Sequence, residues 1–301
     1  FRILEKSRQV GATVFVHAEN GEILNFLRSE CVKKGQLTPH YHYVSRPPFT
    51  EAEAVRRAIY LAGQTDTPLY IAHMTCREAI AELQKAKGTG QRVSGETCTH
   101  YLTTTKEVLD NPDFNEAAKF VCSPALRDRE DCEALWQALS DGLLTAVSSD
   151  HCGIDVAELK QAGRNDFTQI PNGSPGAGDR LHMVWTEGVC TGKLTRQKFV
   201  DVIATQPAKI NGIYPRKGTL AVGSDADVVI FDPNYEGTVH LADNPNGVDY
   251  NLYEGRRQSG RVETVLLRGQ VVVENAKFVG RYGQGKFIPA NMYASGYENR
   301  K

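Results

Sequence analysis

The sequence predicts an α/β fold with a parallel sheet, followed by a smaller all-β segment. Short apolar runs alternate with amphipathic helical patterns over about the first 210 residues, which is typical of βα units with right-handed crossovers. The pattern then changes to strands separated by turn residues. We therefore expect a parallel-sheet region over residues 1–213, a small β-segment over 214–280 and a tail over 281–301.

Four apolar runs are predicted to form the parallel strands. They are short and mostly lack polar alternation, as strands do when both faces of the sheet are covered. The runs are TVFVH (13–17), PLYIAH (68–73), RVSGETC (92–98) and LLTAVSSD (143–150).

Helical patterns with start signals lie between and after these runs. Thr50 with Glu53, and Thr75 with Glu78, fit capping boxes ahead of EAVRRAIYLAG and AIAELQKAK. A further helix is predicted in REDCEALWQALSDG, and another in LTRQKFVDVIATQPAKING with Thr195 as its N-cap.

Two later stretches predict the strands of the β-segment. KGTLAVGSDADVVIFDPN and ETVLLRGQVVVENAKFVG are β-rich runs, and Gly269–Gln270 is predicted to form a hairpin turn in the second. The tail from Arg281 shows no period.

Composition excludes several classes of partner. The 35 basic and 36 acidic residues leave a net charge of -1, so no polybasic surface indicates nucleic acid or anionic lipid. No apolar run approaches the roughly 20 residues that span a bilayer. The seven cysteines are scattered and form no C-x-x-C pair, which argues against a disulfide framework. We expect a cytoplasmic protein that binds neither nucleic acid nor membranes.

Three predicted strands end in side chains that bind metals. His17 follows TVFV, His73 follows PLYIA, and Asp150 ends LLTAVSS. The carboxyl ends of parallel strands carry the active sites of such folds, and imidazole and carboxylate suit zinc and similar ions. The three residues are far apart in sequence, and each alone is more often an ordinary core or capping residue. The residue pattern alone does not distinguish a capping role from a metal-ligand role for Asp150.

Two further segments are predicted to be loops. The stretch after Asp150, which includes GRNDFTQIPNGSPGAGDR, is long and rich in turn residues, and loops of that length are usually functional or disordered. Backbone groups around Asn172–Gly173 are placed to bind a small polar ring. His40 and His42 lie in TPHYHYVSRPP, which we expect to be a surface loop rather than a chelating pair.

Several motifs in consistent order resemble the hydantoinase and dihydropyrimidinase family of the amidohydrolase superfamily. They are VFVHAENGE, IAHMTC, GETCTHYL, VCSPALR, VSSDHC, GRNDFTQIPNG and KGTLAVGSDADVVIFDP, and together they extend over nearly the whole chain. The resemblance implies a TIM-like (β/α)8 barrel, here its second half, beside a small all-β sandwich segment.

The resemblance also implies a metal site with two zinc ions per subunit, bridged by a carboxylated Lys that is not present in this chain. His17, His73 and Asp150 would be the metal ligands from the fifth, sixth and eighth strands of the barrel. Ser123, in VCSPALR, and Asn172, in IPNG, would contact the substrate ring through their backbones.

The implied function is metal-dependent hydrolysis of the cyclic amide bond of dihydropyrimidines or hydantoins to N-carbamoyl amino acids. Asp150 would act as general base and then as general acid. Family members are commonly homotetramers, and the tail would reach a neighbouring subunit. No His-x-His pair precedes His17. We therefore expect the chain to be the carboxy-terminal portion of such an enzyme, incomplete and insoluble or inactive when expressed alone.

Other members of the superfamily are the alternatives. Dihydroorotase and allantoinase share the metal scaffold, but GRNDFTQIPNG and GETCTHYL favour the dihydropyrimidinase branch. A collapsin response mediator-like scaffold shares the fold and lacks the metal ligands. Retention of His17, His73 and Asp150 favours an enzyme. The preference between dihydropyrimidines and hydantoins stays open.

Overall fold

The computed structural model describes residues 1–291, and this part of the chain contains two sheets. The first is parallel, with strands in the order β1 (Val14–Val16), β2 (Leu69–Ile71), β3 (Val93–Cys98) and β4 (Ala146–Ser148). The second is antiparallel, in the order β5 (Val228–Thr238), β6 (Arg257–Leu267), β7 (Gln270–Glu274) and β8 (Lys277–Phe278). Each apolar run that predicted a parallel strand contains one. The predicted α/β fold is confirmed.

Helices connect the strands and cover the parallel sheet. The α-helices are α1 (Arg2–Val10), α2 (Gly21–Lys33), α3 (His40–Val44), α4 (Pro48–Thr65), α5 (Arg77–Gly88), α6 (Thr99–Thr103), α7 (Phe114–Ala118), α8 (Arg129–Ser140), α9 (Arg180–Val184), α10 (Arg196–Val200) and α11 (Gln206–Ile210). Short 3₁₀ helices cover Lys106–Asp110, Lys160–Gly163, Phe167–Gln169 and Leu241–Asp243, and π-helical turns cover Trp185–Val189 and Asp201–Thr205. None of the helices within residues 1–291 has the length and hydrophobicity that a membrane-spanning helix needs.

The two faces of the parallel sheet differ in what they contact. Apolar side chains on one face pack with α4, α5 and α8 in the main core, which includes Val55, Leu69, Ile71, Leu83, Leu135 and Val147. The opposite face carries Tyr70, whose ring packs with Ala146 and Ile210. Phe15 lies beside Tyr70 on this face and is 53% exposed. The helical layer therefore stabilises one face and leaves part of the other accessible.

The start signals of the first two predicted helices were wrong. Helix α4 begins at Pro48, two residues before Thr50, whose hydroxyl donates to the Pro47 carbonyl. Thr75 precedes the N-cap of α5 and bonds instead to Glu51. The Thr50 contact is local, to a carbonyl three residues earlier, whereas Glu51, the partner of Thr75, is brought near by the tertiary structure. Thr195, by contrast, is the N-cap of α10 and accepts from the Lys198 amide, as predicted.

The hairpin turn of the second sheet lies one residue earlier than predicted. Arg268 and Gly269 have φ angles of 50° and 78°, and Gln270 is already the first residue of β7. A two-residue turn between twisted strands favours positive φ at both positions.

The predicted boundaries at 213/214 and 280/281 stay predictions, and residues 292–301 of the predicted tail lie outside the described residues.

A buried ion pair joins the helical layer to the loops at the strand ends. The Nη2 atom of Arg127 donates to Oε2 of Glu51 over 3.1 Å, and both side chains are at most 4% exposed. Arg127 also donates to the Thr75 hydroxyl at 2.8 Å and to the Arg46 carbonyl. The Thr75 amide donates to Glu51 at 2.8 Å. Burial raises the pKa of Glu51, and the charge of Arg127 opposes that rise.

Arg127→Met is expected to lower the free energy of unfolding by about 3–5 kcal/mol, because it leaves the Glu51 carboxylate buried without a cation. Urea unfolding of the protein expressed from its complete gene measures this loss. The control is the double variant Glu51→Gln/Arg127→Met, which removes both charges and is expected to lose less than the two single variants together. Strict additivity of the single losses would contradict the proposed pairing.

Candidate active site

The structure brings His17 and His73 together at the ends of β1 and β2. The last hydrogen bond between these strands runs from the Ala72 amide to the Val16 carbonyl, and each histidine lies one residue beyond it. The Nδ1 atom of His17 and the Nε2 atom of His73 are 2.9 Å apart. The rings meet edge to face with centroids 4.6 Å apart. Two imidazole nitrogens therefore face each other at neighbouring strand ends.

Asp150 lies at the same edge of the sheet, two residues beyond the end of β4, and is exposed. Its charge acts on His73: burial and His17 lower the pKa of His73, while Asp150 opposes them, and the pKa is lowered overall. The lowered pKa favours the neutral form of His73, which is the form that binds metals. The φ angles of His73 and Asp150 are 37° and 43°, a left-handed conformation that costs about 1–2 kcal/mol for residues with a side chain.

The donor atoms fit part of a metal site. His73 Nδ1 is buried and has no hydrogen-bond partner among the described residues, and its Nε2 atom faces His17. Across residues 1–291, however, no group of three His, Cys, Asp or Glu side chains is close enough together to hold a metal ion. The two histidines are therefore adjacent as ligands should be, and Asp150 does not complete a group of three with them.

A buried carboxylate that the sequence analysis missed lies behind His17. The Nε2 atom of His17 bonds to Oε2 of Glu19 over 3.0 Å, and Arg46 Nη1 donates to both Glu19 oxygens over 2.8 and 3.0 Å. Burial would raise the pKa of Glu19, but His17 and Arg46 together lower it to about 2. A carboxylate two residues after a strand-end histidine was visible in VFVHAEN. The role of Arg46 had no local signal.

Ser123 and Asn172 are also brought together, although 49 residues separate them. The Ser123 hydroxyl donates to Oδ1 of Asn172 over 2.7 Å, and Asn172 Nδ2 donates to the Ile170 carbonyl over 2.9 Å. Next to this contact, the Gly173 amide donates to the Val121 carbonyl over 3.0 Å. The two predicted substrate-binding residues are thus in direct contact. We call this contact and the adjoining Asn172–Gly173 backbone the wall of the candidate site.

The segment after Asp150 is bonded to that wall. The Cys152 amide donates to the Ser174 carbonyl over 3.0 Å, and His151 forms a parallel bridge with Ser174. The Gly176 amide donates to His151 Nδ1 over 3.3 Å. Because Ser174 is two residues from Asn172, these bonds connect the end of β4 to the Ser123–Asn172 contact.

His40 and His42 do not lie in the predicted surface loop but in helix α3. Residues two positions apart on a helix point to different sides, and the pair is divided accordingly. His40 bonds to Asp110 over 2.6 Å. His42 is buried and donates from Nε2 to the Cys122 carbonyl over 2.8 Å, and burial together with Arg46 lowers its pKa to about 3. His42 therefore supports the peptide that precedes Ser123.

A buried lysine is hydrogen-bonded to the backbone next to this wall. Lys160 Nζ donates to the carbonyls of Ala118 and Val121 over 2.7 and 3.3 Å, and it lies 5.9 Å from the centre of the Tyr250 ring. Burial lowers the pKa of Lys160 to about 8. The Val121 carbonyl also accepts from the Gly173 amide. Lys160 therefore holds the backbone segment to which the Asn172 loop is hydrogen-bonded.

Imidazole and carboxylate side chains at the carboxyl ends of parallel strands define the class: an α/β protein of the kind whose catalytic or metal-binding site lies at those ends. The comparisons with known proteins give the family. The amidohydrolase family model matches residues 2–272, and the chain belongs to this family, whose members are metal-dependent.

Three relatives illustrate the similarity. The chain is 47% identical over 292 residues to D-hydantoinase of Ralstonia pickettii, covering 97% of this chain and 64% of that protein. It is 39% identical over 285 residues to dihydropyrimidinase of Arabidopsis thaliana, covering 95% and 54%. A solved D-hydantoinase from a Bacillus sp. AR9 superposes with a TM-score of 0.95 at 44% identity, covering 97% and 64%.

These matches confirm the resemblance found in the sequence. The chain spans less than two thirds of the length of each of the three relatives.

The buried lysine is expected to make stability depend on pH. The unfolded chain keeps its lysine proton up to about pH 10.4, whereas the folded protein loses the Lys160 proton near pH 8. Between these values the unfolded state binds more protons, so the free energy of unfolding rises with pH. The rise is up to about 3 kcal/mol, since one pKa unit corresponds to about 1.4 kcal/mol.

Urea unfolding from pH 7 to 10.5 tests this, with Lys160→Met expected to lack the rise. Lys33→Met, at an exposed ammonium, controls for the loss of one positive charge. Parallel pH profiles for the unaltered protein and Lys160→Met would show that the Lys160 proton is not lost in this range.

Proposed function

We propose that this chain carries part of the active site of a metal-dependent hydrolase that opens the cyclic amide of hydantoins or dihydropyrimidines to N-carbamoyl amino acids. The observation that carries the proposal is the facing pair of His17 Nδ1 and His73 Nε2, with Asp150 at the same sheet edge. Support comes from the similarity to proteins named D-hydantoinase and dihydropyrimidinase.

The parallel sheet supports the proposal that this chain contains half of a TIM-like barrel. Four parallel strands, β1 to β4, are half of the eight in a TIM-like (β/α)8 barrel, and among the described residues β1 and β4 each pair along one side. We assign residues 1–213 to the second half of such a barrel, 214–280 to a small β-sandwich segment and 281–301 to a tail. The accessible Phe15 face corresponds to the barrel interior.

His17, His73 and Asp150 would hold the metal. Zinc sites in enzymes take about three protein ligands each, so a centre of two zinc ions bridged by a carboxylated Lys needs ligands in addition to these three. When bound, zinc polarises the carbonyl that is attacked and lowers the pKa of a water molecule, so that hydroxide is available near neutral pH.

We assign the proton transfer to Asp150. Its carboxylate is exposed at the site, so one oxygen can accept the proton of the attacking water while the new C–O bond forms at the ring carbonyl carbon. When the ring C–N bond breaks, the same carboxyl group returns that proton to the leaving nitrogen. Asp150 therefore ends the cycle ionised, as it began.

Ser123 and Asn172 would orient the ring. Their side chains are bonded to each other, and Asn172 is bonded also to Ile170, so we assign the ring contacts to the backbone N–H and C=O groups of the two residues. The ureide group of the ring offers alternating donors and acceptors that match such groups. This wall fixes the ring relative to Asp150 through the bonds of Cys152 and Ser174.

Asp150→Asn is expected to reduce turnover by about 10²–10⁴-fold, because the amide cannot take up the proton of the attacking water. The fold should persist, since the residue is exposed and asparagine tolerates left-handed φ. Hydrolysis of hydantoin and dihydrouracil, with circular dichroism as the folding check, measures both effects. Asp155→Asn is the matched control at a nearby carboxylate. Near-normal turnover by Asp150→Asn would overturn the assigned role.

A substrate panel tests the proposed class directly. Dihydrouracil, dihydrothymine and 5-substituted hydantoins are the expected substrates, and dihydroorotate and allantoin represent the related cyclic amidases. Turnover confined to the last two, or to none, would contradict the proposal.

We further propose a homotetramer in the cytoplasm. The seven cysteines, all of which are free thiols, support a reducing compartment, and the tetramer rests on the family resemblance. Light scattering of the purified protein measures its oligomeric state.

A further inference from the structure

We propose that Glu19 and Arg46 are positioning residues that hold the His17 ring with its Nδ1 atom toward His73. The inference deepens the proposed function and rests on it, because it concerns a ring that is proposed to bind metal. Neither residue touches the reacting atoms; both act through His17.

The bond to Glu19 determines the tautomer of His17. A neutral histidine carries its proton on one ring nitrogen, and the other nitrogen is the one that can bind a metal. The Glu19 carboxylate accepts and cannot donate, so the Nε2 atom of His17, 3.0 Å from Oε2, carries the proton. The lone pair is then on Nδ1, the atom that faces His73 Nε2 at 2.9 Å.

Burial does not orient the His17 ring. The His17 side chain is 46% exposed, whereas His73 is 7% exposed and is confined by its surroundings. His17 also lies beyond the end of β1, so the sheet ladder does not fix its backbone. The bond to Glu19 is therefore the contact that fixes the rotation of the ring on the side away from His73.

Glu19 is itself held in place by Arg46. Its side chain is 2% exposed and that of Arg46 is 9% exposed. One guanidinium nitrogen of Arg46 donates to both carboxylate oxygens, over 2.8 and 3.0 Å. Charge-assisted bonds of this kind are roughly twice as strong as neutral ones. A carboxylate held in this way presents its Oε2 atom to His17 in one place.

Hydrogen bonds connect Glu19 and Arg46 to the buried core. The Arg46 carbonyl accepts from Arg127, whose guanidinium also bonds to Glu51 and Thr75. The line of bonds from Glu51 to His17 therefore passes through two arginines, and through parts of the chain that are almost fully buried. Carboxylates behind metal-binding histidines fix the tautomer and orientation of the ring, and their loss typically costs 10–100-fold in metal affinity.

The test compares Glu19→Ala with a matched control in the protein expressed from its complete gene. Asp131→Asn is the control, because Asp131 is another buried carboxylate, 2% exposed, that accepts from an arginine, Arg77, at 3.1 Å. Zn²⁺ affinity is measured by competition with a chelator, and circular dichroism and urea unfolding report the folded fraction. Glu19→Ala is expected to lose 10–100-fold in Zn²⁺ affinity, and Asp131→Asn to keep the affinity of the unaltered protein.

Glu19→Gln is the conservative variant. Its amide oxygen can still accept from His17 Nε2, while its nitrogen faces Arg46 without attraction. We expect a loss of Zn²⁺ affinity between those of the unaltered protein and Glu19→Ala. This variant keeps the test informative if the alanine variant unfolds. Unchanged affinity in both Glu19 variants, or an equal loss in Asp131→Asn, would overturn the positioning role.

A second readout does not depend on metal or activity. In metal-free protein labelled with ¹⁵N-histidine, the His17 signals, assigned with His17→Gln, are expected to show a protonated Nε2 and an unprotonated Nδ1. Glu19→Ala is expected to shift them toward a mixture of tautomers, and unshifted signals would overturn the inference. If the unaltered protein binds no Zn²⁺ or hydrolyses no cyclic amide, the proposed function fails, and these signals alone decide the positioning role.

Discussion

The buried ion pair of Arg127 and Glu51 constrains the whole region that presents the candidate site. Removing two charges from water costs several kcal/mol per ion, and this is offset only where geometry is good and every remaining polar atom is bonded. Here the bonds come from Thr75, which follows the end of β2, and from the Arg46 carbonyl. Helix α4, the β2 loop and the Arg46 segment must therefore adopt one arrangement together.

That arrangement explains how unfavourable backbone is tolerated at the strand ends. His73 and Asp150 both have left-handed φ angles, and such residues persist where the surroundings over-determine them. His73 is two residues from Thr75, which is fixed by Glu51. Asp150 is followed at once by residues bonded to Ser174. The strained backbone lies at the residues proposed to carry the chemistry, and contacts of neighbouring residues hold it in this conformation.

The sequence predicted the parallel strands well, because a strand buried in the sheet needs a continuous apolar run, and that signal is local. It also predicted that His17 and His73 would meet, since parallel strands bring their carboxyl ends to one edge. The helix starts that it placed at Thr50 and Thr75 were wrong: the Thr50 hydroxyl donates to the Pro47 carbonyl three residues earlier, and the Thr75 amide donates to Glu51, which only the tertiary structure brings near. Arg46 was missed for the same reason: its partner Glu19 is 27 residues away.

Two carboxylates near the candidate site differ in environment, and this difference separates their proposed roles. Glu19 is buried and held by Arg46, and its pKa is lowered to about 2, so it does not accept protons near neutral pH. It is suited to fixing a ring. Asp150 is exposed at the end of β4, and a group that takes a proton from water and delivers it to a ring nitrogen must be free to face both. Environments that differ in this way assign acid–base roles to residues of the same chemical type.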